Sequence, residues 1–253
     1  MLRVSSFFMA LCLFLGACTG GQTTLQPIED PVAALAQAVE TVREQTTFRL
    51  LIEQIGVAYA FQVSLDSGLT AVSAIMRRGE AQFMAPEELY ATVKLEIPPL
   101  PAINTEIFAK GPIQWFRLAG GNWINFPIAE GFDPGELVRP DGGFAQALGQ
   151  LRDVQYIGTE TLIDGTITQH IRGFANGDTI NDLMFNLLRL TQNNVQVDVF
   201  LNPETNLPAR ILITLPDTAS ESEGDTQWNL EIYDLGAPAE YRTGEDGNPQ
   251  EVK

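Results

Sequence analysis

Little in this 253-residue chain can do covalent or metal chemistry. It holds two cysteines and one histidine, which excludes a disulfide-rich scaffold and a Cys/His zinc cluster. Fifteen Lys+Arg stand against 32 Asp+Glu, a formal net charge of −17. Phosphate contacts need Lys and Arg, so nucleic acid is excluded as a partner. An anionic leaflet would repel the same charge, and no basic patch can hold the chain to a membrane. No apolar run reaches the roughly 20 residues that a helix needs to span a bilayer. A P-loop, a Gly-x-Gly-x-x-Gly turn and a Gly-x-Ser-x-Gly nucleophile elbow are all missing.

What the chain does have begins at its N-terminus. Arg3, the apolar stretch 4–15 and the small residues Gly16 and Ala17 have the order of a secretory signal. Leu15-Gly16-Ala17-Cys18 resembles the bacterial lipobox, which implies cleavage after residue 17 and a diacylglyceryl group on the Cys18 thiol; the alternative is an ordinary signal with an incidental cysteine. Two or three acyl chains, at about 0.8 kcal/mol per buried CH₂, anchor a protein stably. Cys12 would leave with the signal and Cys18 would be used by the anchor, so no disulfide is expected. Loss of residues 1–17 removes one Arg and no acid, leaving 14 Lys+Arg against 32 Asp+Glu, a formal charge of −18. Residues 18–29 read as a lipidated flexible tether with a reach of roughly 20 Å. Residues 30–241 read as one domain, and 242–253 as a disordered acidic tail.

Periodicity gives the domain its class. Asp30 and Pro31 suit a helix N-cap and first turn, and Val32, Leu35, Ala36, Val39 and Val42 follow at helical spacing. From Thr47 the period becomes two. Strands are expected at 47–53, 57–65, 91–97, 105–110, 113–118 and 123–127, then at 154–163, 166–173, 195–201, 211–215 and 228–232. A second helix is expected over 143–152. A third is expected over 179–191, with Thr179 and Asp182 as a capping box. This is an α+β pattern: a large antiparallel sheet of about ten strands and three short helices. Such a sheet presents roughly 35 inward apolar side chains against about 15 from the helices, by alternation and helical spacing. Either the sheet curls over itself and fills its core, or part of the apolar surface lines a cavity.

Catalytic constellations do not emerge. His170 alternates with Ile167 and Ile171, which places it with Thr168 and Arg172 on the expected wet face. The densest acidic run, Asp217 to Asp225, reads as solvated charge, and neither metal nor cofactor is expected. Trp115, Phe116, Trp123 and Phe126 gather on one expected hairpin, as core packing or as a pocket rim or membrane-facing tip.

Five segments taken in order carry a family resemblance: GGNWINFP (120–127), FDPGELVRPDGGFAQALGQL (132–151), YIGTETLIDGTITQHIRG (156–173), VDVFLNPETNLPARILI (197–213) and NLEIYDLGAPAEY (229–241). With the lipobox they resemble the LppX/LprA/LprF/LprG family of bacterial lipoproteins, related in architecture to the LolA/LolB carriers. The resemblance implies a strongly curved antiparallel half-barrel with helices on its concave side. It also implies an apolar cavity for the acyl chains of a lipid or glycolipid, and no catalytic residues. Lining candidates carried over as element faces are Phe61 and Val63 on the sheet, Leu148 and Leu151 on the second helix, and Leu183, Met184, Leu187 and Leu188 on the third. The expected function is that of a monomeric, non-enzymatic lipid carrier on the extracytoplasmic face of a bacterial membrane, with a membrane transporter as a further partner. A sensor or assembly factor that binds a protein with the same fold is the second reading. An anchored hydrolase, which needs His170 beside a carboxylate in one cleft, is the third.

Overall fold

The computed structural model describes residues 25–64, 71–118, 120–126, 131–186, 190, 193–243 and 248–250. Asp30 caps helix α1 (Pro31–Arg43), its carboxylate accepting from the Ala33 N–H at 2.9 Å, and Pro31 occupies the first turn, where no N–H is needed. Leu35, Ala38, Val39 and Val42 form the buried stripe. At the far end the Arg43 guanidinium donates to the Val138 carbonyl at 3.2 Å. This ties α1 to a 3₁₀ helix, Pro134–Val138, that helical periodicity did not indicate and that Asp133 caps. Helix α2 (Gly143–Gly149) packs on α1 and on both 3₁₀ helices, and together these elements cover one face of the sheet.

The strands are β1 (Thr47–Ile55), β2 (Ala60–Ser64), β3 (Ala71–Met84), β4 (Glu88–Glu96), β5 (Ile103–Lys110), β6 (Ile113–Leu118), β7 (Ile124–Asn125), β8 (Arg152–Thr161), β9 (Ile167–Ala175), β10 (Val195–Leu201), β11 (Pro208–Leu215), β12 (Thr226–Tyr233), β13 (Arg242–Thr243) and β14 (Pro249–Gln250). Twelve of them make one antiparallel sheet in the order β7-β6-β5-β4-β3-β1-β12-β11-β10-β9-β8, with β2 on β3. Among the described residues β7 and β8 do not pair, so the sheet is an open half-barrel of the expected kind.

The two halves of the inner face differ in side-chain size. On β10, β11 and β12 the inward residues are large: Val197 opposes Ile213, which opposes Trp228, and Val199, Ile211 and Leu230 form the next row. All six are buried. On β3 and β4 the rows run through small residues: Leu50–Ala81–Ala91–Ile107 and Ile52–Gly79–Val93–Thr105. Each large aliphatic residue contributes about 1.5–3 kcal/mol by burial. The first half is therefore the filled core, and the second is where room is left.

β1 and β2 lie end to end along the same edge of β3. The break between them is made by Gly56 at φ +73° and by a bulge in β3 between Met76 and Arg78. A Cβ on Gly56 would stand 2.2 Å from the Asp225 carbonyl oxygen, while Val57 N–H bonds to Gly224 O at 3.1 Å. Gly56→Ala therefore combines a left-handed backbone with a backbone clash. It should cost roughly 1–3 kcal/mol, read as a fall in the denaturation midpoint with unchanged slope.

Four expectations change. The third helix is a 3₁₀ helix, Gly177–Met184, and ends at Phe185 and Asn186, both at positive φ, which an α-helix cannot continue through. Its cap is Asn176 without a side-chain bond, and the Thr179 hydroxyl donates to the Asn176 carbonyl instead of forming a capping box with Asp182. The expected strand 57–65 is β2, Ala60–Ser64, within the described residues. The longest strand, β3, falls where no element was expected. The tail expected to be disordered carries the two-residue ladder β13–β14, Arg242 opposite Gln250 and Thr243 opposite Pro249.

Candidate functional site

The small residues of β3 and β4 leave a narrow apolar cleft between sheet and helices, with a cavity volume of about 40 Å³. Ile52, Gly79, Ala81, Ala91, Val93 and Ile107 make the floor. The roof is two rings from separate loops: Phe132, just before the first 3₁₀ helix, and Phe185, just after the second, meet edge to face at 5.2 Å and 80°. Beyond Ala81 the floor is closed by Phe48 and Phe83, stacked at 4.7 Å, with Phe144 of α2 set on Phe48 edge-on. One inward amide interrupts the apolar lining. Gln114 of β6 is 4% exposed, and its Nε2 donates to the Phe132 carbonyl at 3.3 Å, fastening the roof loop to the sheet. Glu80 also borders the cleft but belongs to the outer face, where Arg78 holds its carboxylate at 2.8 Å.

The residues put forward as cavity lining are placed as follows. Phe61, Leu148, Leu183 and Met184 are buried in the main core, and Leu151 packs against it. None of these five borders the cleft described above. Val63 pairs with Val72 through its backbone; its side chain, Leu187, Leu188 and Cys18 lie outside what the structure describes. Periodicity missed Gly79 and Ala81, and it read Ala91 as part of an alternating strand and not as lining. Their only signal was small size at inward positions of strands, one of which was not recognised.

His170 is not on a wet face. It is 7% exposed, covered by Phe200, whose ring stacks on the imidazole at 4.5 Å. Its Nε2 lies 2.6 Å from Asp198, and its Nδ1 3.6 Å from Glu160. Asp198 also accepts from Arg172 at 2.7 Å and from Gln196 at 2.7 Å. Burial pushes the Asp198 carboxyl up, but the bonds from His170, Gln196 and Arg172 outweigh it and hold the carboxyl below its ordinary value. This network occupies the outer face of β9 and β10, across the sheet from the cleft, and its acceptor sites are filled by internal partners. It is a structural clamp between strands.

The aromatic hairpin packs on the sheet. Trp115 meets Phe108 at 5.4 Å, Phe116 meets Phe126 edge-on at 6.1 Å, and Arg117 lies over Trp123 at 4.8 Å. Beneath it Glu106 bonds to Arg117 and Tyr90. Burial raises that carboxyl, and the two bonds lower it further than burial raises it. Among the described residues no helix is long and apolar enough to cross a membrane, and no group of His, Cys, Asp and Glu is placed to hold a metal ion.

The domain is an open antiparallel half-barrel with a capped apolar cleft on one face and its polar networks on the other. The chain belongs to the LppX_LprAFG lipoprotein family, whose model matches residues 30–240. It is similar to the lipoarabinomannan carrier protein LprG of Mycolicibacterium hassiacum, 24% identical over 179 residues that cover 70% of this chain and 72% of the relative. The fold is shared with LprF from Mycobacterium bovis, at a TM-score of 0.59 and 15% identity over 85% of this chain and 97% of that one. LppX from Mycobacterium tuberculosis matches at a TM-score of 0.53 and 18% identity, over 82% of this chain and 96% of that one.

Proposed function

We propose that this protein is a non-enzymatic lipoprotein of the bacterial envelope that binds the acyl part of a lipid or glycolipid in the cleft and carries it. The observation that carries the reading is the cleft itself: an apolar floor of small residues under a roof of two phenylalanines. Its lining offers an acyl chain contact without directional chemistry. Membership of a lipoprotein family, and a relative named for carrying lipoarabinomannan, support the same reading. Burial of each methylene contributes about 0.8 kcal/mol, so affinity should rise about fourfold per added CH₂ and level off once the cleft is full.

The test is native mass spectrometry on protein made without its anchor, followed by titration with a dansylated fatty acid. Co-purifying lipid or saturable uptake is the expected result; the absence of both would overturn the proposal. Anchoring is a separate part of the reading. Cys18→Ser should move the protein from the membrane fraction to the soluble fraction and abolish incorporation of labelled palmitate, without changing uptake by the cleft.

A further inference from the structure

The outer face of the sheet carries a second cavity that acyl binding does not use. The chain after β12 turns back across β1, β3 and β4 as a strap. Gly236 N–H bonds to Thr47 O at 2.9 Å, and Glu240 N–H bonds to the Gln82 side chain at 2.8 Å. Arg49 holds Glu240 at 2.5 Å and Asp234 at 3.5 Å. Tyr241 ends the strap, stacked on Tyr90 at 5.5 Å. Between strap and sheet lies a polar space of about 290 Å³, with Tyr90, Tyr233 and Tyr241 among its walls beside Arg49, Gln82 and Glu240. A neighbouring space of about 130 Å³, between the β8–β9 turn and β11–β12, shares Tyr233 as a wall. Tyr233 is the side chain that both spaces have in common.

The lining chemistry narrows the ligand. The Arg49 charge is taken by Glu240 and Asp234, and Glu80 adds a further carboxylate at the wall, so an anion is repelled. Arg78 and Arg49 neutralise Glu80 and Glu240, and among the described residues no carboxylate group is placed for a cation. Acyl chains do not suit a polar wall. What fits is a neutral molecule with apolar C–H faces and a rim of hydroxyls. A pyranose ring lays its C–H face on the electron-rich face of a tyrosine, and its hydroxyls donate to carboxylates in charge-assisted bonds.

We propose that this outer pocket is a saccharide-binding subsite and that an oligosaccharide lies across Tyr233, filling both spaces. It is independent of acyl binding: the glycan could be the headgroup of a lipid held in the cleft or a separate wall polysaccharide, since the chemistry recognised is the same.

The test is isothermal titration calorimetry of anchor-free protein with mannohexaose, arabinohexaose and maltohexaose. Binding of at least one is expected, weakened tenfold or more by Tyr233→Ala and by Gln82→Ala, and largely kept by Tyr233→Phe, which retains the ring. A circular-dichroism melt separates lost binding from a lost fold. Repeating the titration with the cleft saturated by dansylated fatty acid separates the sources: unchanged affinity marks a separate glycan, and altered affinity marks coupling to a cleft-bound lipid. No heat from any of the three sugars, or undiminished binding by a folded Tyr233→Ala, overturns the proposal. Either result leaves acyl uptake, read by dansyl fluorescence, untouched.

Discussion

Replacing Ala91 with phenylalanine should abolish fatty-acid uptake while leaving the domain folded. Ala91 is at the centre of the cleft floor, paired across strands with Ala81 and Ile107. A phenyl ring there displaces roughly four methylenes of an acyl chain, at about 0.8 kcal/mol each, which is about two hundredfold in affinity. The stability readout separates this from a packing defect. In a filled core the added ring would cost about 1–3 kcal/mol, or several degrees in Tm. In the cleft it has space to occupy, and the melt should shift little or upward. Dansyl fluorescence titration and differential scanning calorimetry on one protein preparation give both numbers. Lost stability with retained uptake would place the acyl site elsewhere.

The second large effect belongs to the clamp on the outer face. Asp198→Ala removes the shared acceptor of His170, Arg172 and Gln196, leaving buried donors with nothing to accept from them. Removing one partner of a buried charge pair is strongly destabilising. Arg172 is partly exposed and can turn to water, so the expected loss is about 3 kcal/mol. The same carboxyl makes stability depend on pH. Its folded value lies below its unfolded one, so the stabilisation is complete above the unfolded carboxylate value of about 4. Below that the unfolded chain takes up the proton first, and the contribution falls until the pH passes the folded value. Urea midpoints measured downward from neutrality should fall through this window in the parent protein and fall less in Asp198→Asn. Equal slopes for the two proteins would remove Asp198 from the acid response.

Some of this was legible in the residues alone. Asp30-Pro31 announced α1, and the alternation of β10, β11 and β12 announced strands and the inward row of each, because local chemistry and tertiary packing agree there. β3 was not legible. Its bulge between Met76 and Arg78 reverses which parity faces inward: Ala74 and Met76 are buried before it, Ala81 and Phe83 after it. No single alternation runs through the strand, and the charged residues Arg77, Arg78 and Glu80 interrupt its apolar pattern. The cleft was hidden for a related reason. A search for lining residues looks for large apolar side chains, which here fill the core. Empty space is made by residues too small to reach across it, and an alanine at an inward position looks like ordinary packing. His170 failed in the opposite way: Phe200 and Asp198, distant in sequence, cover a strand face that alternation alone assigns to water.

The order of strands also sets a timetable. β3 to β7 and β8 to β12 are two meanders in which each strand pairs with its neighbour in the chain, with β2 joining the first. Both halves can assemble from nearby partners. β1 alone joins them, and its second partner is β12, at residues 226–233. That pairing closes the largest loop in the sheet and comes last as the chain emerges from its N-terminal end, so it is the slow step that topology imposes. Until then both β1 and β11 present open edges, the template on which chains pair with one another. A chain that stops short of Thr226 keeps those edges permanently, so C-terminal truncation is a route to aggregates even though every residue named in the cleft precedes Thr226.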